Sequence, residues 1–226
     1  EYEAIKITGK GNSSSSKTAA TIARSNLGLL LKAINYITEN PKVKHIYFEG
    51  NINSYTYADD GASLYDVLSL YNERHELIRD KLISSMKDID ELEEYIESTE
   101  DGQLGMMVEI VKEYENEIPG LIQQLKKRHT GDKDRANAQM IFSTVHRAKG
   151  MEYDTVYLVN DFITEEKVER FKKEMKKKEE PVDVAKINEE INLLYVAVTR
   201  TKNKLYIPED MVPTGIKASA SIVIVK

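Results

Sequence analysis

The chain of 226 residues contains no cysteine and only five prolines. Without cysteine there is neither a disulfide nor a thiolate metal site, so stability has to come from a packed core. No apolar run approaches the ~20 residues that span a bilayer, and no membrane association is expected. The first residues, EYEAIKITGK, lack the basic region and apolar core of a secretory signal. They also lack an initial Met, and we expect a piece cut from a longer protein. A basic excess is missing as well: the net charge is −6. That argues against a protein built to coat nucleic acid, although a local basic groove can bind phosphate within an acidic whole.

Two absences bear on chemistry. Gly11, Ser16, Lys17 and Thr18 nearly spell G-x-x-x-x-G-K-[ST], but the second glycine is missing. A strand pattern (Thr18–Ala23) follows where a phosphate-binding loop needs a helix, so we read a solvated serine-rich loop. Nor does any apolar run end in paired acids of the kind that hold Mg²⁺. The chain is therefore not expected to bind Mg·ATP tightly or hydrolyse it unaided, and a free-standing phosphate-loop kinase is set aside.

What is present is a soluble, foldable α/β composition, 41% hydrophobic and 31% charged, long enough for one compact domain and a smaller one. Thr18–Ala23, then a helix over Leu27–Ile37 capped by Ser25 or Asn26, then a strand over Val43–Glu49, predict a parallel pair with a right-handed crossover. Tyr55 and Tyr57 alternate with small residues and suit either turn packing or base stacking. From Glu73 to His129 the periodicity is helical, with apolar stripes at Ile89/Leu92/Tyr95/Ile96, Leu104/Met107/Val108/Val111/Tyr114 and Leu121/Ile122/Leu125. The acidic run DIDELEEYIESTED reads as a solvated face. Lys126–His129 with Lys133 and Arg135 reads as a solvated helix end or a phosphate contact. ERFKKEMKKKEEP reads as an exposed mixed-charge helix or linker without an apolar face. Lys204–Ile207 and Ser221–Val225 read as closing strands. No internal repeat is apparent.

Two stretches carry polar residues that a core does not ask for. Ile141–Val145 is strand-like and runs into His146, Arg147, Lys149, Gly150 and Glu152 before a second apolar run, Thr155–Val159. Strand, polar turn and strand is how α/β sheets present ligand-binding groups. In EEINLLYVAVTRTKNKLY, residues Ile187, Ile191, Leu194, Tyr195 and Val198 share a helical face, and the helix delivers Thr199 and Arg200 at its end.

TVHRAKGMEYDTV resembles motif V (T-x-H-x-x-K-G-L-E-[FW]-D-x-V), and LLYVAVTRTKNKLY resembles motif VI (L-x-Y-V-A-x-T-R-A), of the superfamily-one DNA helicases of UvrD/Rep type. ATIARSN is similar to their motif IV. Within that family the likeness points to the F-box DNA helicase subgroup and its bacterial relatives. Ala23 stands where much of the family has an adenine-stacking tyrosine, Met151 where leucine is usual, and Thr201 where alanine is usual.

The resemblance implies an α/β fold: a RecA-like parallel sheet flanked by helices and interrupted by a small all-helical insertion. It assigns residues 1–58 and 130–226 to the second of two motor domains, and 59–129 to a reduced helical subdomain. It implies that Arg24 and Arg200 reach the γ-phosphate, that Gly150 and Glu152 meet the nucleotide, with Glu152 on a ribose hydroxyl, and that Thr144, His146 and Arg147 grip DNA. ATP and Mg²⁺ would be bound mainly by an N-terminal RecA-like domain of the same protein, in a cleft shared with this one. Single-stranded DNA would be the track of an ATP-dependent helicase moving 3′ to 5′, in the bacterial cytoplasm (nucleoid) or the eukaryotic nucleus. Arginine suits such a site because its guanidinium is planar, always charged and can fork onto two phosphate oxygens. The competing reading is a non-catalytic DNA- or protein-binding module that kept the fold. Such a module is free to lose Arg24, Glu152 and Arg200, yet all three are present.

Overall fold

The computed structural model describes residues 4–8, 18–57, 61–99, 101–177, 181–215 and 222–225. In chain order the elements are β1 (Ala4–Thr8), β2 (Ala19–Ala23), α1 (Asn26–Glu39), β3 (Ile46–Phe48), α2 (Leu64–Tyr71), α3 (Lys81–Ser84), α4 (Ile89–Thr99), α5 (Gly102–Tyr114), α6 (Ile118–Arg128), β4 (Met140–Thr144), β5 (Tyr153–Leu158), α7 (Glu165–Lys177), α8 (Val184–Val198), β6 (Thr201–Pro208) and β7 (Ile222–Val225). The chain divides into two compact units. One comprises residues 1–25, 44–50 and 130–226, and the other residues 26–43 and 51–129.

The first unit is organised by one sheet in the order β3-β4-β2-β5-β6-β1-β7. The strands from β3 to β6 are all parallel to their neighbours. The short, almost wholly buried runs of β2, β3 and β4 suit strands covered on both faces. β1 then adds antiparallel to β6, and β7 antiparallel to β1. The expected parallel sheet is thus present, with an extension of mixed direction at one edge. β2 and β3 are parallel but not neighbours, because β4 lies between them. One face of the sheet is packed through Ala20, Ile22, Ile141, Val156, Leu158, Leu205 and Ile207, and Val145, Ala148, Phe162, Ala197 and Met211 close over it. Each such large side chain contributes roughly 1.5–3 kcal/mol by leaving water. Elsewhere in the sheet Phe48 stacks on Phe142, ring centroids 5.1 Å apart.

Two helices of this unit depart from expectation. α7 does have an apolar side: Val168 and Phe171 are half-buried and, with Ile163 and Ile187 of α8, line a small hollow. Its charged majority hides this i, i+3 pair in the sequence. α8 begins with Asp183 accepting from the Lys186 N–H. It packs inward through Ala197, with Leu193, Leu194, Val196 and Val198 partly buried against the core. Two residues of the expected buried stripe, Ile191 and Tyr195, face outward at 48% and 67% exposure, as does Val184. The apolar positions of α8 wrap more of the helix than one packed face needs.

The second unit is helical apart from the turns. α1 buries Leu27, Leu29, Leu30, Ile34 and Ile37. α5 buries Leu104, Met107, Val108 and Val111, and α6 buries Ile118, Ile122 and Leu125. Helix starts are signed locally: Ser63, Asp80 and Asp101 each accept backbone N–H groups of the turn that follows. Tyr55 is fully buried, whereas Tyr57 is exposed. Of the basic cluster, Arg128 donates to the Ile37 carbonyl at 3.3 Å, the helix-end role expected of it.

Candidate functional site

β4 ends at Thr144, whose carbonyl receives the N–H groups of Arg147 and Ala148, and Met151 N–H returns to Ala148. These bonds wind residues 145–150 into a tight turn that leads to β5. Val145 and Ala148 point into the core, while His146 and Lys149 are exposed. Gly150 has φ +85°, the left-handed conformation that favours glycine. The Thr144 side chain itself is buried at 6% exposure.

The turn is braced from behind. Arg147 Nη1 donates to the Glu49 carbonyl at 2.8 Å, lying against Gly50, which also has φ +85°. The Glu49 carboxylate accepts from Arg135 Nε at 2.9 Å and from the Tyr153 hydroxyl at 3.3 Å. The Arg135 guanidinium lies 5.6 Å from the Tyr47 ring centroid and 5.9 Å from that of Tyr153. Tyr47 donates to Asp132 at 2.8 Å. Burial, with the hydrogen bond to Asp132 and the charges of Glu49 and Asp132, pushes the Tyr47 phenol up to about 12. Burial raises Tyr153 as well, helped by Glu49. Arg135, which the sequence offered as a phosphate contact, is thus part of a structural network.

Arg24 follows the carboxyl end of β2. Asp161, at the end of the segment after β5, accepts from Arg24 N–H, Ser25 N–H and the Ser25 hydroxyl, each at 2.8 Å. Burial raises the Asp161 carboxyl pKa, and those donors together with Lys167 work against the rise. The guanidinium reaches α8: Nε donates to Glu190 Oε2 and Nη2 to Glu190 Oε1, both at 2.9 Å. Arg200 folds back on the end of the same helix. Its Nε donates to the Val196 carbonyl at 3.0 Å, Nη2 to the Thr199 hydroxyl and Nη1 to the Met151 carbonyl, both at 3.1 Å. Glu152 is exposed, 3.3 Å from the Lys202 ammonium.

The strand register separates these groups into two sets. Arg24, Thr144, His146 and Arg147 gather at the carboxyl ends of β2 and β4, where Ala23 pairs with Thr144. Gly150, Glu152 and Arg200 gather at the amino ends of β5 and β6, where Tyr153 pairs with Thr201. Arg24 and Arg200 do not touch. α8 joins the sets, holding Arg24 at Glu190 and Arg200 at Val196, about 9 Å apart along the axis. Between the turn and α8 lies an open hollow of about 360 Å³ lined by His146, Lys149, Asn188, Glu189 and Asn192 among others. Lys149 was visible in the motif. Asn188 and Asn192 carry no sequence signal beyond their i, i+4 spacing, which places them on one side of a helix.

The family model of the UvrD-like helicase C-terminal domain matches residues 12–209. The chain belongs to that family. It is similar to F-box DNA helicase 1 of Gallus gallus, 32% identical over 120 residues, which cover 53% of this chain and 11% of the relative. It is also similar to F-box DNA helicase protein 1 of Schizosaccharomyces pombe, 31% identical over 113 residues, covering 47% and 11%. The similarity to these curated relatives thus spans about a tenth of their length.

In this UvrD-like domain the loop at 11–17 lies outside the described residues. Thr18, its last motif position, exchanges hydrogen bonds with Asp154, and a strand rather than a helix follows. Among the described residues no group of three His, Asp or Glu converges as a metal ion requires. A guanidinium can fork onto phosphate oxygens, whereas among the described residues no such ligand set is offered to Mg²⁺. No helix among the described residues is long and apolar enough to cross a membrane.

Proposed function

We propose that the chain is the second RecA-like motor domain of an ATP-dependent DNA helicase or translocase, with residues 59–129 as its reduced helical insertion. Arg24 and Arg200 serve the γ-phosphate, Gly150 and Glu152 border the nucleotide, and the turn that starts at Thr144 meets the backbone of single-stranded DNA through the exposed His146, with Arg147 bracing it from behind. Lys149 joins His146 from the same turn. Mg²⁺ and most of the triphosphate belong to an N-terminal domain of the same protein, so this chain alone is inactive.

The observation that carries the proposal is the arrangement along α8. One exposed helix engages both arginines, borders the His146 hollow and keeps Val184, Ile191 and Tyr195 uncovered. An uncovered apolar face beside two guanidiniums suits a facing domain that closes over an anion. In phosphoryl transfer the charge on the transferring group has to be stabilised, and catalysis is mostly positioning and electrostatics. The turn from Thr144 to Glu152 runs from the end of the sheet that carries His146 and Arg24 to the end that carries Arg200, so closure on ATP and grip on the strand share one segment.

The test is Arg200→Ala in the full-length protein. ATP turnover falls by ~10³-fold or more, the usual loss for such an arginine, while single-strand binding measured by anisotropy stays near wild type. Unchanged turnover would remove Arg200 from the nucleotide site.

A further inference from the structure

We propose that Glu190 competes with the terminal phosphate of the nucleotide for the same edge of Arg24, and so reports the presence of ATP to α8. The proposal rests on the reading of Arg24 as a phosphate ligand.

The geometry is a fork-on-fork pair in which Nε and Nη2 of Arg24 each donate at 2.9 Å to one oxygen of Glu190. Phosphate oxygens take the same two-pronged grip, and one guanidinium edge holds one such acceptor at a time. The two side chains are 28% and 26% exposed. They are therefore partly screened, and the pair is weak enough to exchange. A terminal phosphate carries roughly twice the charge of a carboxylate near neutral pH, so it wins the edge when correctly placed.

Glu190 has a second cation within reach when it yields. Lys186 stands one turn earlier on α8, the i, i+4 relation that lets opposite charges meet. Both line the hollow formed with Ile163, Phe171 and Ile187. Lys167 lines it too, and one of its three protons is spent on the Phe162 carbonyl at 2.8 Å. The displaced carboxylate is thus not left as an isolated charge on an apolar wall. Glu190 has two positions, one tying α8 to the end of β2 and one releasing it. The same helix ends at Arg200 and borders the His146 hollow, so release is felt on both sides of the turn. A nucleoside diphosphate lacks the group that displaces Glu190.

The experiment uses the full-length protein and compares equilibrium binding of a non-hydrolysable ATP analogue with that of ADP. Glu190→Gln keeps the shape and removes the charge. It tightens the analogue by about twofold to fivefold, the equivalent of a partly exposed ion pair, and leaves ADP unchanged. Lys186→Ala removes the alternative partner and weakens the analogue by about twofold, again without effect on ADP. Parallel shifts for analogue and ADP, or weaker analogue binding by Glu190→Gln, would overturn the competition. Arg24→Ala separates this from the underlying reading. Analogue affinity independent of Arg24 sinks the phosphate role itself, whereas affinity that depends on Arg24 but ignores Glu190 sinks only the competition.

Discussion

At the residue scale, the two glycines with φ +85° do different jobs. Gly150 lies in open space, so a Cβ there meets nothing within 4 Å and only the backbone conformation is penalised. At Gly50 the added Cβ lands on the Arg147 guanidinium, 2.9 Å from its Cζ. Gly150→Ala should cost about 1–2 kcal/mol, the left-handed penalty alone. Gly50→Ala should cost about 1 kcal/mol more, because Arg147 has to release the Glu49 carbonyl. Urea unfolding of the two variants checks this, and equal losses would mean that Arg147 does not brace the turn. His146, exposed on that turn, has a different test. His146→Ala should weaken single-strand binding about tenfold, the worth of one hydrogen bond to a charged group, and lower the stimulation of ATP turnover by DNA. If both are unaltered, the turn is not a DNA contact.

At the scale of elements, the network behind the turn joins the segments that carry Glu49, Arg135, Tyr47 and Tyr153, and it makes a pH prediction. The fold raises the Tyr47 phenol to about 12, through burial first and then the Asp132 hydrogen bond. An unfolded tyrosine titrates near ~10. The folded protein therefore holds this proton more tightly. The stabilisation is full below pH ~10 and is lost as pH rises from there through about 12. Tyr47→Phe should flatten the fall of melting temperature across that window. Some slope should remain, since burial raises Tyr153 in the same direction. An unchanged alkaline slope would mean that the Tyr47 phenol is not held in this way.

Elements whose cause is local were legible in the sequence. Ile141–Thr144 is β-branched and aromatic, the basic Lys126–Arg128 mark the end of α6, and the two strand-like runs on either side of Gly150 announced the turn between them. What failed was non-local. The antiparallel seat of β1 depends on partners at 204–208, near the other end of the chain. The partner of Arg24 is Glu190, on a helix that sequence spacing cannot bring to it. Arg135 looked like a free cation because the carboxylate of Glu49 lies far away in sequence. In α7, the Val168 and Phe171 pair is outnumbered by charges that make no demand on the fold. The strand register, too, is invisible in one sequence, and with it the separation of Arg24 from Arg200 to opposite ends of the sheet.

At the scale of the whole molecule, the chain supplies charge and shape but neither a phosphate loop nor, among the described residues, a metal ligand set. The proposal accordingly gives it one half of a shared cleft. An isolated binding module needs only its DNA-facing groups. A motor half, as proposed, also needs groups that face nucleotide, and Arg24, Arg200 and Glu152 are the candidates, each now held by a partner within the chain: Glu190, the end of α8 and Lys202. The direct measurement is ATP hydrolysis by the full-length protein with and without single-stranded DNA. The account predicts hydrolysis that rises strongly when the strand is added. A folded full-length protein that hydrolyses no ATP under either condition would contradict it and leave the non-catalytic binding module.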